Sequence, residues 1–377
     1  MQLLIEEHIV LLLSQPMPSD SVMQNVRTLL SGSSGPIDYV RLFQIANLNQ
    51  VTPLLYKNLS AFQMVPQGVM QKLRTHYVAN IQRNTAHLDE TLHIIDILRR
   101  AGISSIPLKG SFAAETLLGD IGLYPTSDID LLVQRDDLKK ARESLIATGY
   151  EISREISEQD QLSDTNHLRF HRNKTVLELH WNLVIRYFRA DPDYWWEDAK
   201  EIEYRGHRIF QLSHEKLLLY LVFRLFSKGF LPLRFFMLPL GIVSGRNMAF
   251  DWDKFMRYAG ELKMERLANF AINLLQDIFF AEIPEAVQRS RMPGYELIKD
   301  RVMAGLFKSR VNTRLRMVMF LLLLDSPVDT FRVLLRRIFP PLAEVRLRYN
   351  LPRGSLKVLP YYLLNPFLML FKKTKRL

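Results

Sequence analysis

The 377-residue chain contains no cysteine. That excludes a disulfide framework and any thiolate metal site, and it fits a reducing cytoplasm. Long apolar runs are missing too: the best, Met317 to Leu324, is eight residues, against the roughly 20 a helix needs to cross a bilayer. The N-terminus, Met1-Gln2-Leu3-Leu4-Ile5-Glu6-Glu7-His8, carries acid where a secretory signal carries base. We therefore expect a cytoplasmic protein. No internal repeat or low-complexity tract is present. With 48% hydrophobic residues, the chain can bury a sizeable core and form two or three subdomains.

Acidic residues are scarce at one end. From Thr330 to Leu377 there are eleven basic residues, from Arg332 to Arg376, and one acid, Glu344, so this end holds +10 of the net +11. It also interleaves apolar groups: Tyr361-Tyr362-Leu363-Leu364, then Pro366 to Phe371, before Lys372-Lys373-Thr374-Lys375-Arg376. A basic amphipathic end suits an anionic membrane surface, here the inner face of the membrane. A solvated or core-docked tail is the plainer alternative. Nucleic acid is a further one, disfavoured by the near-neutral remainder of the chain.

What the chain does have lies at Lys109-Gly110-Ser111 and at Ser127-Asp128-Ile129-Asp130-Leu131-Leu132-Val133. The second reads as a strand. Its side chains alternate, so Asp128 and Asp130 share one face while Ile129 and Leu131 point into the core. Two like charges that close are costly unless a cation lies between them, and a hard, oxygen-seeking ion such as Mg²⁺ is the natural occupant. The strand-like Ile103 to Leu108 ends at Gly110-Ser111, where a glycine allows close backbone approach and a helix start favours phosphate. Metal plus triphosphate is the inference; a solvated turn is the alternative for an isolated Asp-x-Asp.

Around this motif the pattern is helical before and after. Helices are expected over Leu3 to Leu13, Ser19 to Leu30, Tyr39 to Leu48, Val51 to Asn58 and Thr85 to Ala101, with a loop at Ser31 to Pro36. Asp136-Asp137 open another helix that stops before Gly149, and Ser213 starts one that runs toward Lys228. Strands are expected near 150–155, 167–172, 175–181 and 207–211 in one mixed sheet. The expected organisation is a helical region 1–85, a core 86–212, a helical domain 213–330 and a basic amphipathic tail 331–377.

Asn173-Lys174 suggests a hairpin joining two alternating strands. On the second, Glu178 and His180 share one face and Leu177 and Leu179 the other. His167 and His171 have the only ligand-like histidine spacing, but on a strand they lie about 13 Å apart, and no cysteine supports them. Zinc is rejected.

Gly-Ser followed by Asp-x-Asp resembles the polymerase-β-like nucleotidyltransferase superfamily. Leu108-Lys109-Gly110, Ser127 to Val133, Ala147-Thr148-Gly149-Tyr150 and Leu177-Glu178-Leu179-His180-Trp181 look more closely like the bacterial family of uncharacterised nucleotidyltransferases. The resemblance covers residues 86–212 clearly. Where the family usually carries an arginine, this chain reads Leu123-Tyr124-Pro125-Thr126. Members often accompany polysaccharide or peptide biosynthetic gene clusters.

The resemblance implies an α+β fold, a nucleotidyltransferase-type mixed sheet flanked by helical regions. It implies a Mg²⁺- or Mn²⁺-dependent enzyme that moves a nucleoside monophosphate from an NTP such as ATP to a hydroxyl on a small molecule, glycan precursor, peptide or protein. Asp128, Asp130 and Glu178 would be catalytic metal ligands, with His180 behind them. Lys109, Gly110 and Ser111 would grip the phosphates, and Lys216 and Lys228 would reach them from the helical side. The alternatives are a phosphotransferase on the same scaffold and a nucleotide-binding or membrane-docked scaffold with weakened catalysis.

Overall fold

The computed structural model describes the chain apart from residues 1–2, 33–34, 154–165, 185–187, 189, 246–249, 288–290, 308–320, 341, 343–344, 347–348, 350, 353–354 and 372–377. The basic end from Lys372 to Arg376 and half of the apolar stretch Met317 to Leu324 therefore lie outside the described residues. Among those described, no helix is long and apolar enough to cross a membrane.

Five strands form one mixed sheet: β1 (Ser105–Pro107), β2 (Ile129–Val133), β3 (Glu151–Ile152), β4 (His167–Arg172) and β5 (Thr175–His180), in the order β1-β2-β5-β4-β3. β2 and β5 run parallel, with Asp130 opposite Glu178 and Leu132 opposite His180. The other neighbours are antiparallel. β4 and β5 make the expected hairpin, with Asn173 in the left-handed region at φ 54°.

The expectation that 207–211 joins this sheet is corrected. β7 (His207–Gln211) pairs with β6 (Lys200–Tyr204) in a separate two-stranded ladder. Arg205 and Gly206, both with positive φ, close it as a tight turn, so the nearest partner wins. β6 escaped notice because Ile202 is the only aliphatic residue in Lys200-Glu201-Ile202-Glu203-Tyr204, too few to show a period of two.

Helices α1 (Ile5–Leu12), α2 (Asp20–Leu30), α3 (Tyr39–Leu48) and α4 (Thr52–Leu59) match the expected positions. Ser19 caps α2 by accepting from the Val22 amide, and Asp38 caps α3 by accepting from those of Val40 and Arg41. α5 (Gln67–Arg100) starts well before the expected Thr85 and runs through position 85 without a break. α6 (Gly110–Leu118) and α7 (Leu138–Ala147) lie within the sheet region. After it come α8 (His214–Ser227), α9 (Arg234–Ser244), α10 (Trp252–Glu261), α11 (Glu265–Phe279), α12 (Tyr295–Phe307), α13 (Pro327–Ile338) and α14 (Val358–Phe371).

The sheet packs on both faces. On one side Leu88, Leu92, Ile95 and Leu98 of α5, four residues at helical spacing, meet Ile129, Leu131, Phe170, Leu177 and Leu179. On the other, Ile106, Leu108 and Leu132 join a single core shared by the helices before and after the sheet. Polar side chains on this second face of β2 and β5 therefore have nowhere to go but the seam between sheet and helices.

Candidate active site

Strand alternation delivers the acids to that seam. Ile129, Leu131 and Val133 are buried on the α5 side, which leaves Asp130 and Leu132 on the other. The Asp130 carboxylate is fully buried. β2 begins only at Ile129, so Asp128 stands just before the strand. Both carboxylates nevertheless meet one cation: Lys109 Nζ lies 2.6 Å from Asp130 Oδ2 and 3.1 Å from Asp128 Oδ2. On β5, Leu177 and Leu179 are buried opposite, and His180 Nε2 lies 3.1 Å from Asp130 Oδ1 and 3.8 Å from Glu178 Oε2. His167 of β4, paired with His180, lies beside it with the rings tilted by 37° and their centres 5.0 Å apart. His171, at the other end of β4, instead contacts Glu151 at 3.1 Å.

The electrostatics split the two carboxyls. Burial would raise Asp130, but the Lys109 charge and the His180 hydrogen bond outweigh it and hold the group well below the usual range. Burial raises Glu178, and the Asp130 charge adds to it. Burial also lowers His180 by more than its bond to Asp130 raises it, so the imidazole is neutral at pH 7. Lys109 stays protonated, because Asp130 and Asp128 more than offset its burial. One site thus holds a firmly ionised aspartate beside a glutamate with a raised proton affinity.

The turn between β1 and α6 sits next to these groups. Lys109 is the residue before α6, and Gly110 takes φ 76°, which disfavours any side chain there. The Gly110 backbone lies against Thr126 and Asp128: an added Cβ would be 3.5 Å from Thr126 Cγ2 and 3.7 Å from the Asp128 carbonyl oxygen. Ser111 is buried in the first turn of the helix.

Several residues of this region escaped the sequence reading. Asn80 and Asn84 of α5 point to the loop before Asp128. Asn80 donates to the Gly122 carbonyl, and Asn84 donates to those of Ile121 and Tyr124 while accepting from the Thr126 hydroxyl. Arg234 of α9 covers the Tyr124 ring at 5.4 Å and donates to the Pro125 carbonyl at 2.7 Å. Tyr220 and Arg224 of α8 lie within electrostatic reach of Asp130. Arg224 had left a signal: it is the single charge in the apolar run Leu217 to Phe226. Lys228 follows α8 and is within reach of Glu178 and Asp128. Lys216 is not brought to this cluster. Its fully buried ammonium is held by the Tyr194 carbonyl, Glu197 at 3.3 Å and Asp198 at 3.2 Å.

Residues 35–280 match the family described as uncharacterised nucleotidyltransferase, well over half of the chain. The chain belongs to that family. The matched span takes in the whole sheet and α8, which supports a transferase activity. No curated protein and no solved structure matches the chain significantly.

The residues present suit a divalent cation. Among the described residues, Asp130, Glu178 and His180 are the only group of three or more such side chains placed to share one, their ligand atoms within 4.8 Å of one another. Asp130 Oδ2 is fully buried and its close partner is the Lys109 ammonium at 2.6 Å, so an ion bound there takes the place of that ammonium. Asp128 is not part of that trio and joins it through Lys109.

Proposed function

We propose that this nucleotidyltransferase-family protein transfers a nucleoside monophosphate from an NTP to a hydroxyl acceptor at the β2–β5 seam. The observation that carries the reading is the convergence of Asp128, Asp130 and Glu178 beside the Gly110-Ser111 helix start. Asp128, Asp130 and Glu178 would hold Mg²⁺ or Mn²⁺ ions, whose chemistry is to neutralise the phosphates and acidify the attacking hydroxyl.

The protein's own groups do the rest. The amides at the start of α6 and the Ser111 hydroxyl hold the β- and γ-phosphates. Glu178, with its raised proton affinity, takes the proton of the acceptor hydroxyl. The acceptor oxygen forms a bond to the α-phosphorus as the bond to the bridging oxygen breaks, and pyrophosphate leaves. His180, donating to Asp130 Oδ1 from Nε2, fixes the orientation of that carboxylate. Lys109, once its ammonium leaves the carboxylates, is positioned to meet negative charge on the phosphates.

The label position in the product tests this directly. With α-labelled and γ-labelled ATP offered in parallel to hydroxyl acceptors, retention of the α label marks nucleotidyl transfer and is the expected result. Retention of the γ label marks a phosphotransferase and contradicts it. Asp130→Asn is expected to abolish either product.

We also propose peripheral attachment to an anionic membrane, on one specific observation. α13 exposes Val328, Phe331, Leu335 and Ile338, spaced along one helical stripe, with Phe331 60% exposed. Arg332, Arg336 and Arg337 lie between them in sequence. Phe331→Glu, or deletion of Asn365 to Leu377, is expected to weaken binding to phosphatidylserine vesicles. Equal binding by all three proteins would contradict it.

A further inference from the structure

The transfer chemistry above leaves its acceptor unplaced, and the order of the strands gives it a side. One level of the sheet can be followed from the end of β1 to β4. The Leu108 amide donates to the Asp130 carbonyl at 3.1 Å, Asp130 stands opposite Glu178, and Glu178 stands opposite Arg169. The Gly110-Ser111 turn, which holds the phosphates on the nucleotide reading, follows β1 at one end of this level. In an in-line displacement the attacking oxygen enters opposite the leaving group. With pyrophosphate departing on the β1 side, the acceptor hydroxyl arrives from beyond Glu178. The next strand there is β4, about 4.8 Å further on.

β4 presents two unused groups to that space. Leu168 and Phe170 are buried on the α5 side, so His167 and Arg169 share the other face with Asp130 and Glu178. Arg169 is exposed, and its guanidinium has no ion-pair or hydrogen-bond partner among the described residues, although a carboxylate stands opposite it in register. Glu178 turns instead toward His180, at 3.8 Å. His167 is held in one orientation. Asn166 donates from Nδ2 to the Asn182 carbonyl at 3.0 Å, so its Oδ1 accepts from His167 Nδ1 at 3.1 Å. With its proton on Nδ1, the neutral ring offers Nε2 as an acceptor. One face of β4 thus places a fork of donors for an anion about 7 Å along the strand from an acceptor for a hydroxyl.

We propose that β4 is the acceptor side of the site, where Arg169 binds a phosphate or carboxylate group on the acceptor and His167 accepts a hydrogen bond from its hydroxyl. The inference rests on the nucleotide reading for the direction of attack, and not for its test. The hydroxyl proton still passes to Glu178; His167 and Arg169 position the acceptor. The substrate class narrows to anionic hydroxy compounds, because arginine grips two oxygens of such a group at once.

Glycerol phosphate, glycerate and glycerol, alike in their hydroxyls, are the probes. Saturation-transfer NMR measures the binding of each to the full chain, with and without Mg²⁺-α,β-methylene-ATP, for wild type, Arg169→Gln, Arg169→Lys and His167→Phe. In wild type at least one anion is expected to bind about tenfold tighter than glycerol, the margin of one charge-assisted contact. The tighter anion names the group, phosphate or carboxylate. Arg169→Gln is expected to reduce it to the level of glycerol, and Arg169→Lys to keep part of the margin. His167→Phe is expected to weaken all three, glycerol included; should it fail to fold, the two variants of the exposed Arg169 still decide. Anions that bind wild type no tighter than glycerol, or a margin that survives Arg169→Gln, overturn the proposal. In the first case Mg²⁺-dependent nucleotide binding would leave the nucleotide reading standing alone. An Arg169-dependent margin in protein that binds no nucleotide would keep the anion site and remove the nucleotide reading.

Discussion

The Lys109 ammonium lies 2.6 Å from Asp130 Oδ2, and the same nitrogen is 3.1 Å from Asp128. The protein thus supplies its own cation between its two aspartates, in the position a metal would share. A divalent ion that binds these oxygens has to displace that ammonium, because both cannot occupy one contact distance. Lys109→Met is therefore expected to tighten Mn²⁺ binding at least tenfold without nucleotide, and to lower stability without metal by about 3 kcal/mol. Thermal melting with and without Mn²⁺ reads both effects. Equal stabilisation of wild type and variant by Mn²⁺ would count against the exchange.

Glu178 gives the site a pH dependence of known sign. Its proton affinity is raised by burial and by Asp130, whereas a metal takes the ionised form. Metal affinity is expected to increase as pH rises through the raised value, with a proton released on binding. In Glu178→Gln that slope disappears. Calorimetry in buffers of different ionisation enthalpy counts the proton.

Asn84 should matter to stability more than its place on a long helix suggests. It is buried and bonded to the carbonyls of Ile121 and Tyr124 and to the hydroxyl of Thr126. Asn84→Ala strands those groups and is expected to cost about 2 kcal/mol or more. It also loosens the loop ahead of Asp128, so metal affinity is expected to fall with it. Chemical denaturation and a metal titration on the same protein check the pair.

Lys216 separates folding from ligand binding. Its ammonium is fully buried against Tyr194, Glu197 and Asp198; losing it strands the Tyr194 carbonyl and leaves Asp198 to Lys254 and Tyr258, at a cost of about 1–3 kcal/mol. Lys216→Met is expected to melt early and still bind ATP with wild-type affinity at temperatures where it is folded. Loss of ATP affinity in the folded variant would restore Lys216 to the site.

Why some of this was legible in the sequence follows from period and chemistry. Strand alternation at Ile129 to Val133 and at Leu177 to His180 put acids on one face and aliphatics on the other, and the structure keeps that division. The helix stop at Gly149 was readable for the same reason: it is a local device with its own residue preference. The destination of β7 was not, because pairing is decided by the turn at Arg205-Gly206 and by a β6 with a single aliphatic residue. Arg224 and Tyr220 come within electrostatic reach of the carboxylates only after helix and sheet dock across distant stretches of chain, and no local pattern encodes that approach. Lys216 looked equivalent to Lys228 by composition; helical phase sends one into a buried ion-pair cluster and leaves the other at the seam.

The central claim is a metal-dependent nucleotide site built on Asp130. Calorimetric titration of the four NTPs, with and without Mg²⁺, against wild type and Asp130→Asn tests it most directly. Binding of at least one NTP that requires Mg²⁺, and is lost in a variant that still melts cooperatively, is the expected result. NTP binding that ignores Mg²⁺, or that persists in Asp130→Asn, would contradict it.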